Sequence, residues 1–503
     1  MFQKIKIGIR KNLFFLFIIF ILTTISWYKI LFLTFTGEGF FYFFNRLRTD
    51  NEIFRVDLGG YLFFEYLEPF FKDNLFLYQF ILLLTFILLG ILFYFIVYAL
   101  TRNRSASLIA SIFFTLNFNT VFEMIATGAY QLFVQRIFFL LILFPSFIFF
   151  IRFIQTKKIS YFLSSLTLGI VSAFLAYFNF FYILFLLMYF LGVVFTKKMK
   201  IKEIIFLLSC TTIYILSTLI TVNSLVIMNL IDGNDTQQSI FVYIADNLKE
   251  LIFHFFRQLT VISIPDFSLR ESFSVLNISY TEFIYRSDGI QYLFLPVFLI
   301  YILAGIFLFK REKKLRPVIV ASLLFLPCIF VLNMFMRNEK VIILEPGNRY
   351  LFAPSIAFSI FWGIFLASLY NKSFKGKVFV SIAIVIWIGM QLISINQRIK
   401  EESVSHIATK KVIAYFKNDL SMKLKDDSIV ITPRVMGNWG SDFLNKYYGK
   451  KNTIFIPNMD PQFKWRNDLK RTFDPNKDFI TYYDYNRKEV IDLTKNYKTI
   501  IVR

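Results

Sequence analysis

Charge is scarce in this sequence. Only 17% of its 503 residues are charged, whereas soluble domains carry about 25%, and the mean hydropathy is +0.60. This balance excludes a soluble globular protein and an intrinsically disordered chain. Apolar runs of about 20 residues recur along most of the length, and runs of that length cross a bilayer as helices. We therefore predict a polytopic α-helical membrane protein.

Cysteine and histidine are also rare, which excludes several kinds of site. The two cysteines, Cys210 and Cys328, lie inside apolar runs, and the two histidines are His254 and His406. No spacing typical of a metal centre occurs among them, and a structural disulfide is not expected. The sequence also contains no Walker A loop, no nucleotide-binding glycine motif and no HExxH motif. ATP-driven transport by this chain alone is therefore disfavoured.

Positive charge outweighs negative charge. The formal net charge is +22, from 55 Lys and Arg against 33 Asp and Glu. In a soluble protein this excess would indicate a nucleic-acid partner, but membrane proteins collect Lys and Arg in their cytoplasmic loops. We therefore predict the lipid bilayer as a partner and no nucleic acid.

Apolar segments and basic loops together predict a topology. Eleven spans are predicted at residues 12–36, 76–100, 106–120, 134–154, 161–178, 179–196, 204–230, 291–309, 317–336, 350–370 and 378–396. Under this count the basic N-terminus and the Lys- and Arg-rich loops after every second span all fall on one side, which the positive-inside rule assigns to the cytoplasm. The C-terminus then lies outside a multi-pass protein of the cell membrane, with four external loops, 37–75, 121–133, 231–290 and 337–349.

Composition changes at about residue 397 and divides the chain into two domains. Residues 1–396 form the predicted transmembrane domain, and residues 397–503 form a tail. The tail opens with an amphipathic stretch and continues with β-like runs and helical patterns. The amphipathic stretch is 401–420, the β-like runs are 428–432, 453–456, 479–482 and 499–502, and the helical patterns lie near 442–448 and 487–496. We predict a small extracytoplasmic α/β domain.

The tail shows no acid, base and nucleophile at a recognisable spacing, so we predict an auxiliary role for it. Its one unusual cluster is Asn438-Trp-Gly-Ser-Asp442. Asn438 either caps the helix that follows or contacts a sugar, and we favour the cap.

Acidic residues of the external loops are the candidate catalytic groups. Glu38 lies between two glycines at the predicted membrane edge, where an ionisable side chain is a functional candidate. Its carboxylate could act as a base or hold a divalent cation. Asp57 comes next, because it precedes an amphipathic helix at 61–71, whereas Asp50 and Glu52 have the pattern of solvated loop charges. Glu123, in the second external loop, is either a charge at a helix end or part of the same cavity as Glu38.

Arg349 is the candidate phosphate-binding residue. It stands where the last of the four external loops enters the tenth span, and a guanidinium offers paired donors and a permanent charge to a phosphate. The alternative is an arginine that extends to the interface from a membrane edge. Lys340 and Arg136 are further cations on the external side.

This layout resembles the GT-C superfamily of integral-membrane glycosyltransferases. The run Arg349-Tyr-Leu-Phe-Ala-Pro-Ser355 is similar to an Arg-Tyr-Leu-aromatic-x-Pro-Ser signature that enters a late span in several members. A cytoplasmic N-terminus, an acidic start to the first external loop and an external soluble domain match as well. Many members have two neighbouring acids in that loop, whereas Glu38 is flanked by glycines. The catalytic acid and the metal requirement are therefore open.

The resemblance implies an inverting sugar transfer at the outer face, from a polyprenyl-phosphate donor to an unidentified acceptor. Glu38, with Asp57 and Glu123 as the other candidates, would activate the acceptor hydroxyl directly or by holding Mg²⁺ or Mn²⁺. Arg349, with Lys340 and Arg136, would bind the lipid phosphate as charge grows on it. The transferred unit, hexosyl or pentosyl, is open.

Two other functions compete with this interpretation. A transporter or flippase of lipid-linked glycans would require ionisable residues deep in the spans, and these are few. Discontinuous helices in matching halves, typical of such transporters, are also missing. A non-catalytic assembly protein of the cell envelope is the other alternative.

Overall fold

The computed structural model describes most of the chain. The described residues are 2–34, 58–118, 137–176, 179–197, 199–221, 240–265, 295–337, 351–457 and 473–496.

Helices dominate the described residues. In chain order they are α1 (Phe2–Trp27), α2 (Leu58–Phe71), α3 (Leu75–Thr101), α4 (Arg104–Leu116), α5 (Leu140–Thr156), α6 (Ile159–Leu175), α7 (Asn179–Thr196), α8 (Ile201–Thr221), α9 (Ile240–Ser263), α10 (Leu295–Arg311), α11 (Arg316–Arg337), α12 (Phe352–Tyr370), α13 (Phe374–Tyr415) and α14 (Gly437–Tyr448). Each segment predicted as a span overlaps one of them.

The apolar helices identify a membrane protein. Among the described residues, six helical segments are long and apolar enough to cross a bilayer, and shorter apolar helices accompany them. The six are Asn12–Phe32, Leu75–Thr101, Ile201–Thr218, Lys313–Leu332, Phe352–Tyr370 and Phe374–Lys423. The number of eleven spans stays a prediction.

The chain forms two compact units. The first comprises the described residues of Met1–Tyr28, Leu83–Glu123 and Gln135–Asn396, and the second those of Lys29–Leu82, Met124–Val134 and Gln397–Arg503.

Small residues set the helix contacts of the first unit. Helix α4 packs along α12, and α7 packs along α11. A Cβ on Gly363 of α12 would lie 2.6 Å from Ala110 Cβ of α4, and a Cβ on Gly192 of α7 would lie 2.3 Å from the Pro317 carbonyl oxygen. Lipid acyl chains solvate an apolar helix surface as well as another helix does. Close approach of the backbones at small residues therefore decides which helices pair.

Hydroxyl groups join three further helices inside the first unit. The Oγ of Ser146 on α5 lies 2.8 Å from the Ser165 carbonyl oxygen of α6 and 2.7 Å from the Tyr214 hydroxyl of α8. All three residues are buried. Each polar group therefore finds a protein partner, as an apolar surrounding requires.

Helix α13 differs from its prediction in length. We predicted a span at 378–396 and a separate amphipathic stretch at 401–420, whereas α13 is one helix of 42 residues. A π-helical turn, Phe416–Leu420, follows it. No proline or glycine lies between 390 and 415, so nothing in the local sequence interrupts the backbone hydrogen bonds.

The second unit contains a four-stranded sheet with the order β2-β1-β3-β4. The strands are β1 (Ile429–Thr432), β2 (Ile454–Pro457), β3 (Phe479–Asp484) and β4 (Glu489–Asp492). Strand β1 runs parallel to β2 and β3, with Ile429 opposite Ile454, and β4 is antiparallel to β3. The core of the sheet consists of Ile429, Ile431, Ile456, Phe473 and Ile480. The predicted β-runs at 428–432, 453–456 and 479–482 are confirmed, and the run at 499–502 lies outside the described residues.

Two local predictions in the tail are wrong. The helix predicted near 487–496 is instead β4, because the Asp484 Oδ1 accepts the Asn486 N–H at 2.8 Å and turns the chain back along β3. Asn438 does not cap α14, since the helix begins at Gly437 and Met436 holds the cap position.

Candidate functional site

The predicted site residues lie outside the part of the chain that the structure describes. They are Glu38, Asp57, Glu123, Arg136, Lys340 and Arg349. The structure does describe the helix ends that lead into the segments of Glu38, Glu123 and Arg349. These ends belong to the first unit, and we call them the collar: the last turn of α1, residues 114–118 at the end of α4, and the first turn of α12.

Trp27 joins the end of α1 to the end of α4. Its indole Nε1 donates a hydrogen bond of 2.9 Å to the Thr115 carbonyl oxygen, and its ring meets Phe86 of α3 edge to face, with centroids 6.2 Å apart. Trp27 is completely buried, so the indole N–H needs such a partner. Glu38 follows α1 along the chain.

The end of α4 also meets the beginning of α12. The rings of Phe114 and Phe352 lie 5.5 Å apart between centroids. Ala110, about one turn earlier in α4, lies against Gly363, about three turns later in α12. These two pairs show that α4 and α12 are antiparallel. The end of α4, after which Glu123 follows in the sequence, and the beginning of α12, before which Arg349 stands in the sequence, therefore lie at the same end of this helix pair.

Two side-chain amides fix the chain as it leaves α4. The Asn117 Nδ2 donates to the Ile262 carbonyl oxygen of α9 at 2.8 Å, and the Phe118 N–H donates to Gln391 Oε1 of α13 at 2.9 Å. All four residues are buried. Helix α4 ends at Leu116, before the end of the predicted span at residue 120. Gln391 was missed, although a glutamine inside an apolar run is a signal.

Arg257 is a buried cation that the sequence analysis did not single out. It lies on α9, five residues before Ile262, and only 4% of it is exposed. Burial lowers the pKa of its guanidinium to about 10, which keeps the group charged at neutral pH. Five residues of helix correspond to about 7.5 Å, so a fixed positive charge stands close to the collar.

Two carboxylates of the segment 58–74 are held within the second unit. The Glu68 carboxylate accepts a hydrogen bond from the Tyr447 hydroxyl and lies 3.0 Å from Lys446 Nζ. Asp73 Oδ2 accepts from Lys417 Nζ at 2.7 Å and from the Tyr448 hydroxyl at 3.0 Å. Sequence spacing could not indicate these partners, because they lie more than three hundred residues away.

The pKa values of this cluster follow from its hydrogen bonds. Burial on its own raises the pKa of Asp73, but the hydrogen bonds from Lys417 and Tyr448 lower it by more, so the pKa lies below its usual value. Burial, followed by the negative charge of Asp73, raises the pKa of Tyr448. Asp73 is therefore an anion and Tyr448 a neutral donor at neutral pH.

The described residues contain no group of three His, Cys, Asp or Glu side chains that could hold a metal ion. The acidic candidates Glu38, Asp57 and Glu123 lie outside those residues.

Comparison with known proteins rests on structure. No protein-family model matches the sequence, and no curated protein matches it. One similar structure is the archaeal oligosaccharyltransferase AglB from Archaeoglobus fulgidus, solved in complex with an inhibitory peptide and a dolichol-phosphate. The two chains are 12% identical, and their alignment covers 94% of this chain and 70% of AglB, with a TM-score of 0.50. The chain has the GT-C fold. The apo form of the Archaeoglobus fulgidus oligosaccharyltransferase is 10% identical over 90% of this chain and 64% of its own, with a TM-score of 0.49.

The comparison confirms the predicted resemblance to the GT-C superfamily at the level of the fold. It also agrees with a mostly helical chain that carries a small C-terminal sheet.

Proposed function

We propose that this chain is a membrane glycosyltransferase that moves a sugar or glycan from a polyprenyl-phosphate donor to an acceptor at the outer face of the membrane. The collar carries the proposal. Within the first unit, Trp27, Thr115, Phe114 and Phe352 bring three helix ends together, and those ends lead into the segments of Glu38, Glu123 and Arg349. The GT-C fold supports the same function.

Each candidate residue has a role in an inverting transfer. Glu38 takes the proton of the acceptor hydroxyl as the acceptor oxygen attacks the anomeric carbon. If a divalent cation takes part, Glu38 would hold it, and the cation would lower the pKa of that hydroxyl. The bond from that carbon to the lipid phosphate breaks, and the phosphate leaves with the bonding electrons. Arg349 stabilises the charge that grows there. Lys340 and Arg136 are further cations for the phosphate, and Asp57 and Glu123 are the alternative acids.

The sequence resemblance and one structural neighbour support the proposed donor class. AglB was solved with a dolichol-phosphate and an inhibitory peptide. We propose that the present chain likewise takes a lipid-phosphate-linked donor, and that the acceptor approaches from outside the cell. The proposed topology has the N-terminus in the cytoplasm and the C-terminus outside, in the cell membrane.

Transfer by the purified full-length protein tests the function. The protein in lipid nanodiscs is incubated with a panel of polyprenyl-phosphate hexoses and pentoses, and release of the lipid phosphate is measured. Glu38→Gln retains the shape of the side chain and removes the base, so the rate should fall by about 10²-fold or more.

Glu52→Gln is the matched control, because Glu52 lies in the same loop and is expected to be solvated. Its rate should equal that of the unchanged protein. A normal rate in Glu38→Gln, with normal expression, would eliminate Glu38 and leave Asp57 or Glu123 as the base. Transbilayer movement of a lipid-linked glycan without release of lipid phosphate would instead establish a flippase.

A further inference from the structure

The tail contacts the chain at two places, on either side of residues 35–57. Both contacts lie within the second unit. On the upstream side, the Thr34 N–H donates to His406 Nδ1 at 3.2 Å, and Lys410 Nζ donates to the Phe32 carbonyl oxygen. Thr34 and His406 are buried, with His406 1% exposed.

On the downstream side, α2 and the turn after it are held by the cluster already described. Adjacent tyrosines, Tyr447 and Tyr448 on α14, donate to two different carboxylates, Glu68 and Asp73. Lys446 and Lys417 add one ion pair to each carboxylate. Hydrogen bonds to ionised acceptors are stronger than neutral ones, and the 13% exposure of the Glu68 side chain limits screening by solvent.

We propose that the tail positions residues 35–57 for transfer by holding the chain on both sides of them, through His406 and Lys410 upstream and through α14 and Lys417 downstream. This two-sided grip deepens the proposed function and rests on it, because residues 35–57 contain Glu38 and Asp57. The tail then has a defined role without contributing a catalytic residue. Misplacement of a reacting group by about 1 Å can reduce a rate by up to about 10²-fold, so a grip of this kind has kinetic consequences.

Two sets of variants test the grip. Tyr447→Phe with Tyr448→Phe removes both hydroxyl donors and keeps both rings. Tyr482→Phe with Tyr485→Phe is the matched control. These two tyrosines are exposed, one on β3 and one in the turn after it. Upstream, His406→Leu removes the acceptor for the Thr34 N–H, whereas His406→Asn offers an amide oxygen in its place.

Hydrogen exchange of residues 58–74 and the kinetics of transfer are measured on the full-length protein in nanodiscs. In the Tyr447→Phe, Tyr448→Phe variant we expect faster exchange in 58–74 and a kcat reduced about tenfold, with the KM for the donor unchanged. The control should leave both quantities at the values of the unchanged protein. His406→Leu should lower kcat in the same way, and His406→Asn should restore most of it.

The outcomes separate the grip from the proposed function. Unchanged exchange in 58–74 would overturn the grip, whatever the transfer assay shows. Faster exchange with an unchanged kcat would overturn its positioning role, as would a lower kcat in His406→Asn equal to that in His406→Leu. Faster exchange in a protein that transfers none of the sugars supports the contact at α2 and refutes the proposed function instead.

Discussion

Asp478 is a buried residue whose carboxylate binds two backbone N–H groups of the tail. Its Oδ1 accepts the N–H of Ile429, where β1 begins, at 2.8 Å, and its Oδ2 accepts the N–H of Asp474 at 2.7 Å. Asp478 is completely buried. Its carboxylate therefore satisfies two backbone donors that the strands leave unpaired, and it joins β1 to the turn before β3.

Replacement of Asp478 should destabilise the sheet. Asp478→Ala leaves two buried N–H groups without this acceptor, at a cost of about 1–3 kcal/mol for each. Asp478→Asn retains an acceptor oxygen and should cost less. The temperature at which the tail becomes sensitive to protease measures the effect, with Asp426→Ala, an exposed position, as the control. Equal temperatures for Asp478→Ala and the control would contradict the role of the carboxylate.

Arg349 is the residue whose charge the proposed transfer needs most. Arg349→Ala should reduce the rate by about 10²-fold, because a fixed donor to the leaving phosphate is lost. Arg349→Lys should recover only part of the rate, since lysine keeps the charge but lacks the paired donors. Lipid-phosphate release measures both variants, and Arg434→Ala, an exposed arginine of the tail, is the control. Full activity in Arg349→Ala would leave Lys340 or Arg136 as the phosphate ligand.

At the scale of elements, the pairing of α4 with α12 decides the geometry of the collar. Phe113 continues the contact beyond Phe114, since its ring stacks on Trp387 of α13 with centroids 4.2 Å apart. The end of α4 is thus enclosed by aromatic rings and by the amide of Gln391. A change in the distance between α4 and α12 should therefore displace the residues of the collar.

Gly363 is the position at which this distance can be tested. A methyl group there would meet Ala110 Cβ at 2.6 Å and the Ala106 carbonyl oxygen at 2.8 Å, so Gly363→Ala forces the helices apart and should cost about 1–3 kcal/mol. Gly389→Ala is the matched control, because nothing lies within 4 Å of its added Cβ. Thermal unfolding in detergent should show a lower midpoint for Gly363→Ala alone. Equal midpoints would contradict the close approach.

At the scale of the whole molecule, topology is the property on which the proposed function depends. Transfer at the outer face requires the tail to lie outside, and the positive-inside rule predicts this from loops such as 157–158 and 310–316.

Cysteine labelling of intact cells tests the topology. In a background in which Cys210 and Cys328 are replaced by serine, Tyr482→Cys should react with a membrane-impermeant maleimide, because Tyr482 is exposed. Lys158→Cys, at an exposed position of a predicted cytoplasmic loop, should react only after lysis. The reverse pattern would refute both the topology and an outward-facing transferase.

The sequence by itself determined that the chain is helical and lies in a membrane, and where most of the helices and strands are. Hydropathy decides this locally, because each backbone polar group in an apolar medium must be paired within its own helix. The same local signals failed at β4, where the side chain of Asp484 and the pairing with β3 outweigh a helical pattern. They also named Glu38 and Arg349 as site candidates by their chemistry and their position at span ends.

Only the tertiary structure decided which helix ends meet and which charges pair. A hydropathy scale does not distinguish one apolar span from another. The close fit of Gly363 against Ala110, in contrast, selects α4 as the partner of α12. Glu68 resembles a solvated loop acid in the sequence, yet Tyr447 holds it from a position 379 residues away. Such contacts depend on which distant segments the tertiary fold brings together, and the spacing of residues along the sequence does not indicate this.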